Sequence, residues 1–178
     1  MDYISAQTKG KVEELISAQF QLNRYWDRAM SVLDTKFALT KFVSLAHPKL
    51  AHIYPLVADE YADILIRWNY PVVYDTTFKD DSDYSSPMEF FEGQLERHLL
   101  IYELIRDAIK VALENEDYNV EADLKHLLRQ WNRFVAQSYL LRDKAASVNG
   151  NWAMFDGFAE QYVTLVFGPL ENEQEDED

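Results

Sequence analysis

The sequence predicts an all-α fold, a bundle of four long helices, on three observations. Glycine and proline, which interrupt helices, are absent from residues 11–47 and 94–149, and 49–70 contains only Pro55. Within these windows apolar residues recur at steps of three and four, the period of a helix with one buried face. The first two helices and the last two are joined by short links, whereas the longer segment 71–86 separates the second from the third.

The first helix spans about 11–46, with Val12, Leu15, Leu22, Trp26, Ala29 and Leu33 on one stripe. It is expected to bend or split near its end, with Pro48 pushing His47 out of the α region. The second, about 50–68, carries Leu50, Tyr54, Val57, Tyr61, Ile64 and Trp68, with Pro55 in its first turn and Pro71 as its stop. The third opens on Ser86 as cap, Pro87 at the first helical position and Glu89 to complete a capping box. Its stripe is Phe91, Leu95, His98, Tyr102, Ile105, Ile109 and Ala112. Asn119 is the expected cap of the fourth, whose stripe is Leu124, Leu127, Trp131, Phe134, Ser138, Leu141 and Ala145, ending near Asn149-Gly150. Residues 151–168 read as a short fifth helix, so one domain covers 1–168 and a disordered acidic tail covers 169–178. An extended segment the length of 71–86 can run back along a helix of ~30 Å at ~3.3 Å per residue, letting the third helix start at the same end as the second.

Charge narrows the function. The 31 acidic residues against 17 basic ones give a net charge of −14, and no basic face exists to replace phosphate counterions, which argues against nucleic acid and anionic membranes. The absence of cysteine fits a reducing compartment, and no segment reads as a signal peptide or membrane span, so a cytoplasmic location is expected. Nucleophile and phosphate-loop motifs are absent.

Local sequence adds a family. The stretch Ala112-Leu-Glu-Asn-Glu-Asp-Tyr118, Leu124 and Asp143-Lys144 resemble the ferritin turn from third to fourth helix and the close of its fourth. The run from Ala51-His52 to Asp59-Glu60 is similar to the second helix of Dps-like proteins. With two hairpins and one long crossover, the chain resembles the ferritin-like superfamily. That resemblance implies a carboxylate-bridged di-iron site with inward Glu residues and Glu-x-x-His pairs. Here no Glu is followed three residues later by His, so the family ligands do not carry over.

Metal candidates are therefore Glu60, Glu92 and His98, with His47 and His52, as a rearranged iron or manganese site inside the bundle. His98 lies on an apolar stripe, where it is either a hydrogen-bonded core histidine or a ligand. Glu60 and Glu92 flank the stripes, where long side chains can also reach water. Gln19 and Asn23 occupy the first-helix face where the family supplies Glu, and Asp123-x-x-His126 has ligand spacing on a polar face. Two function classes stay open: a metal-handling bundle, ferroxidase-like if catalytic, and a non-catalytic interaction protein whose acidic surface steers a basic protein partner. Surplus apolar residues such as Leu39, Phe42 and Val43 point to a homo-oligomer, a dimer by default.

Overall fold

The structure, a computed structural model, describes residues 3–163; the expected end of the fifth helix and the acidic tail lie outside them. Among the described residues the regular structure includes α1 (Ala6–Phe37), α2 (Thr40–Ala46), a π-helical turn (His47–Ala51), α3 (Ile53–Arg67), α4 (Pro87–Glu114), α5 (Tyr118–Ser147) and α6 (Trp152–Gly157). No strand occurs among the described residues.

α1 begins where the Ser5 hydroxyl accepts from the Thr8 N–H at 3.0 Å, and stops where Ala38 turns left-handed at φ 56°. The expected long first helix is thus split. The N-terminus of α2 has no cap of its own; the Asp156 carboxylate, from α6, accepts from the N–H groups of Phe42 (2.8 Å) and Lys41 (3.3 Å). The expectation at Pro48 is overturned. His47 stays helical (φ −58°, ψ −53°), and the turn instead widens to i→i+5 bonding, which accommodates a ring that has no N–H to give and would crowd the preceding turn.

Pro55 falls in the first turn of α3, and Ser86 caps α4 by accepting from the Met88 N–H at 3.2 Å. Glu89 reaches back to the Ser85 N–H at 3.2 Å, not to Ser86, so the expected box is displaced by one residue. α5 starts after Asp117, two residues before the expected cap Asn119, because Glu116 takes a left-handed φ of 61° and turns the chain there; the Asp117 side chain makes no capping bond to α5. The Asp117 carboxylate accepts instead from the Ser5 N–H at 3.2 Å.

The crossover is tied to α1 along its course. Val73 N–H donates to the Glu13 carboxylate, Phe78 N–H to the Gln21 amide oxygen, Arg28 to the Ser82 carbonyl and Lys36 to the Tyr84 carbonyl. The paired positions climb together, so the segment runs parallel to α1 and delivers the chain back to the end where α3 began. Asn23 bonds Ala51 and Ile4 bonds Tyr70, which makes α3 antiparallel to α1. Tyr25 meets Phe90 and Lys11 meets Asp107, so α4 is antiparallel to α1 and parallel to α3. The product is two helical hairpins joined by one long crossover.

One aromatic cluster fixes the α1–α4 contact. The Phe90 ring stands edge-on to Trp26 (4.9 Å) and Phe91 (5.0 Å) and stacks on Tyr25 (5.8 Å), and all four side chains are buried. Gly93 is needed there: a Cβ would sit 2.6 Å from the Tyr25 hydroxyl, whose proton goes to the Phe90 carbonyl. Phe90→Ala is expected to lower stability by about 3–5 kcal/mol, since a rigid aromatic neighbourhood relaxes poorly into the cavity. Urea unfolding at pH 7 measures it, and a loss under ~1 kcal/mol would show that the cluster repacks.

Candidate functional site

Two places in the bundle warrant a chemical reading. The first is the interior around His98, which is buried on α4 with an exposure of 2%. Its Nδ1 lies 2.6 Å from the Gln94 carbonyl oxygen, which can only accept, so Nδ1 carries a proton. In the neutral ring Nε2 is then the acceptor for the Tyr54 hydroxyl at 3.1 Å. Trp131 stacks on the ring at 5.2 Å and donates its indole N–H to the His98 carbonyl at 2.9 Å. Burial pushes the imidazole down to about 4, the Gln94 bond offsetting part of that, and drives the Tyr54 phenol well above its usual range.

This interior does not fit a di-iron cluster. Among the described residues the buried polar side chains are Thr8, Gln19, Gln94, His98 and Ser138, with no carboxylate. The cavity beside His98 measures about 10 Å³, room for roughly one water. Gln19, where the resemblance to ferritins implies a Glu, is fully buried and its amide finds no hydrogen-bond partner among the described residues. Asn23 is spent on the Ala51 carbonyl at 2.6 Å.

The five candidate ligands are not brought together. Glu92 is exposed on α4, and Glu60 is exposed on the rim of an open groove of about 470 Å³ between α3 and α5, with Asp63, Asp123 and His126. Desolvation raises the Glu60 carboxyl, His126 opposing and Asp63 adding to the shift. Asp123 pairs with Arg67 at 2.8 Å and His126 with Gln130 at 3.1 Å, the surface role expected of a polar face. Helix periodicity explains the separation: both glutamates stand beside the apolar stripes, and their side chains turn outward to water.

His47 and His52 do meet, at the second place. With Asp27 they form the one group of three or more His, Asp or Glu donors among the described residues, one ligand atom of each lying within 4.8 Å of the others. His47 Nε2 is 3.2 Å from Asp27 Oδ1, and the two imidazoles meet edge to face at 5.0 Å. His47 and Asp27 are half-buried and His52 is exposed. Asp27 comes from α1, one turn beyond Asn23, whose bond to Ala51 holds the π turn against that helix.

Asp27 escaped sequence reasoning. A five-residue spacing on an ordinary helix puts side chains about 140° apart, which separates His47 from His52; an i→i+5 turn brings them onto one side. The usable signal was Pro48, which directly follows His47 and forecasts irregular helix.

No protein-family model matches the sequence, and no curated protein is a close match to it. Solved structures do match. An open-pore ferritin from the hyperthermophilic archaeon Archaeoglobus fulgidus superposes with a TM-score of 0.83 at 15% identity, over 92% of this chain and 98% of that one. A humanized archaeal ferritin gives 0.82 at 15% identity, over 90% and 97%. An engineered closed form of the A. fulgidus ferritin gives 0.82 at 15% identity, over 90% and 96%. The chain is an all-α four-helix bundle with one long crossover. Its fold is ferritin-like, and at 15% identity the likeness is one of fold.

The neutral His98 has a pH signature. An unfolded imidazole titrates near its ordinary 6.5, and the folded one at about 4, so between those values the unfolded chain binds the extra proton. Stability from this source is complete above pH 6.5 and is lost as pH falls toward 4, by about 3 kcal/mol. Unfolding free energies of the parent and His98→Gln should therefore converge as pH drops through that window. Parallel curves would mean that His98 is not held neutral.

Proposed function

We propose that this chain is a metal-binding bundle protein that holds one divalent transition-metal ion at Asp27, His47 and His52, beside the bundle and not inside it. The convergence of those three donors carries the reading. Two imidazoles and a carboxylate are a common ligand set, and the half-exposed position lets an ion enter from solvent. The likeness to ferritin structures supports metal handling as the setting. This reading does not include ferroxidase chemistry within the bundle, because among the described residues the interior supplies no carboxylate. We place the protein in the cytoplasm, which a cysteine-free chain suits, and among the described residues no helix is long and apolar enough to cross a membrane.

A second reading, an interaction bundle, rests on its own observation. The interior is filled with rings, while Leu56 and Ile66 of α3, Leu100 of α4 and Phe78 of the crossover face outward at 56–79% exposure. On this reading those side chains are covered by another copy or by a basic protein partner drawn to the acidic surface.

Equilibrium dialysis of the tag-free chain against Mn²⁺, anaerobic Fe²⁺, Co²⁺, Ni²⁺ and Zn²⁺ in turn separates the two. At least one ion should bind at about one equivalent, and His47→Ala with His52→Ala should weaken it by about 100-fold or more with the urea midpoint unchanged. Retention of no ion, or equal binding by the double variant, would remove the site and leave the interaction reading.

A further inference from the structure

Resting on the metal-binding reading, we infer the ion: the Asp27–His47–His52 site selects a borderline cation of the Zn²⁺, Co²⁺ and Ni²⁺ class over iron, and leaves one coordination position open to an outside ligand. The donor count comes first. Three side chains converge, and a tetrahedral ion needs a fourth donor. No other His, Asp or Glu among the described residues joins the group, so that position falls to water or to an incoming donor from the exposed His52 side.

Donor chemistry sets the preference. Two of the three donors are imidazole nitrogens and one is a carboxylate oxygen, and for a given nitrogen–oxygen site affinity rises from Fe²⁺ through Co²⁺ and Ni²⁺, with Zn²⁺ also above Fe²⁺. Ferric iron is worse served. One carboxylate supplies one negative charge, and a hard trivalent ion favours a set of oxygen donors such as carboxylates. The site therefore favours a divalent ion over a trivalent one, and three donors serve a single ion.

Placement adds a mechanical consequence. The three donors come from α1, the first residue of the π turn and the residue just before α3, so one ion ties the elbow of the first hairpin to its long helix. In the structure the link is a hydrogen bond from His47 to Asp27 at 3.2 Å, with the Asn23–Ala51 bond beside it. A bound ion replaces the first with coordination bonds and recruits His52, which should quiet the backbone of 47–52.

The test compares Zn²⁺ with anaerobic Fe²⁺ on the full chain by competition against a chromophoric chelator. Imidazole resonances, assigned through single His→Gln variants, report where the ion goes. Zn²⁺ is expected to bind at least about 10-fold tighter than Fe²⁺, to shift the rings of His47 and His52 while leaving His98 and His126 in place, and to slow amide exchange across 47–52. Asp27→Asn, which keeps the shape of the side chain, should weaken Zn²⁺ by about 10-fold or more. Fe²⁺ binding equal to or tighter than Zn²⁺, or two ions per chain, would overturn the selectivity and leave the metal-binding reading standing. Shifts at His98 or His126, or no ion bound at all, would overturn the site and both inferences with it.

Discussion

The bundle depends on the crossover lying parallel to α1. Once the chain has descended α3 against α1, it must return to the starting end before α4 can begin parallel to α3, and an extended segment of this length needs a track. α1 provides it. Glu13, Gln21, Arg28 and Lys36 stand along its solvent side and each bonds the backbone of the crossover in order. Backbone groups that no helix or strand would satisfy are thus paired with side chains of a rigid neighbour, which is how a long structureless connection can still have a defined course. Both faces of α1 are then in use: its apolar stripe packs on α3 and α4, and its polar edge guides the chain that joins them.

The buried face of that bundle was legible before any coordinates, because burial follows the helical period closely. Leu124, Leu127, Trp131, Phe134, Ser138, Leu141 and Ala145 are all buried, as are Val12, Leu15, Leu22, Trp26, Ala29 and Leu33. What was not legible lies at helix ends and irregular turns, where small local energies compete. The start of α5 moved ahead of Asn119 because Glu116 accepts a left-handed conformation, and a proline that should have ended a helix widened one turn instead. Such choices differ by about 1 kcal/mol and depend on contacts that sequence spacing does not contain, such as Asp156 capping α2 from a helix more than a hundred residues away.

The candidate site shows the same division. His98 was legible as buried, and its two readings, core histidine or ligand, were separated by partners from other elements: Tyr54 on α3 and Trp131 on α5. His47 and His52 were legible as residues but not as a pair, since their proximity is a product of the π turn. Asp27 was not legible at all; nothing on α1 distinguishes it from the chain's many other acids until the turn is folded against it.

The interior and the elbow are linked by a single physical trade. A carboxylate inside the bundle is tolerable only with an ion or another charge to hold it, so a ferritin-like interior without metal must do without carboxylates. Among the described residues this interior has none. Gln19 stands on the first-helix face, a neutral histidine and a tyrosine satisfy each other, and aromatic rings occupy the remaining volume. A packed interior of that kind is rigid and, among the described residues, offers an ion no carboxylate, which leaves ligand chemistry to places where the backbone is irregular and reachable from water. Among the described residues the π turn is the one element where regular helical bonding is interrupted yet clamped, by Asn23 and Asp27 of the same helix. Irregular turns of this type recur at functional positions because they re-aim side chains without ending the helix. Here the re-aimed side chain is His47, and the distance it closes is the one that turns two separate histidines into a ligand pair.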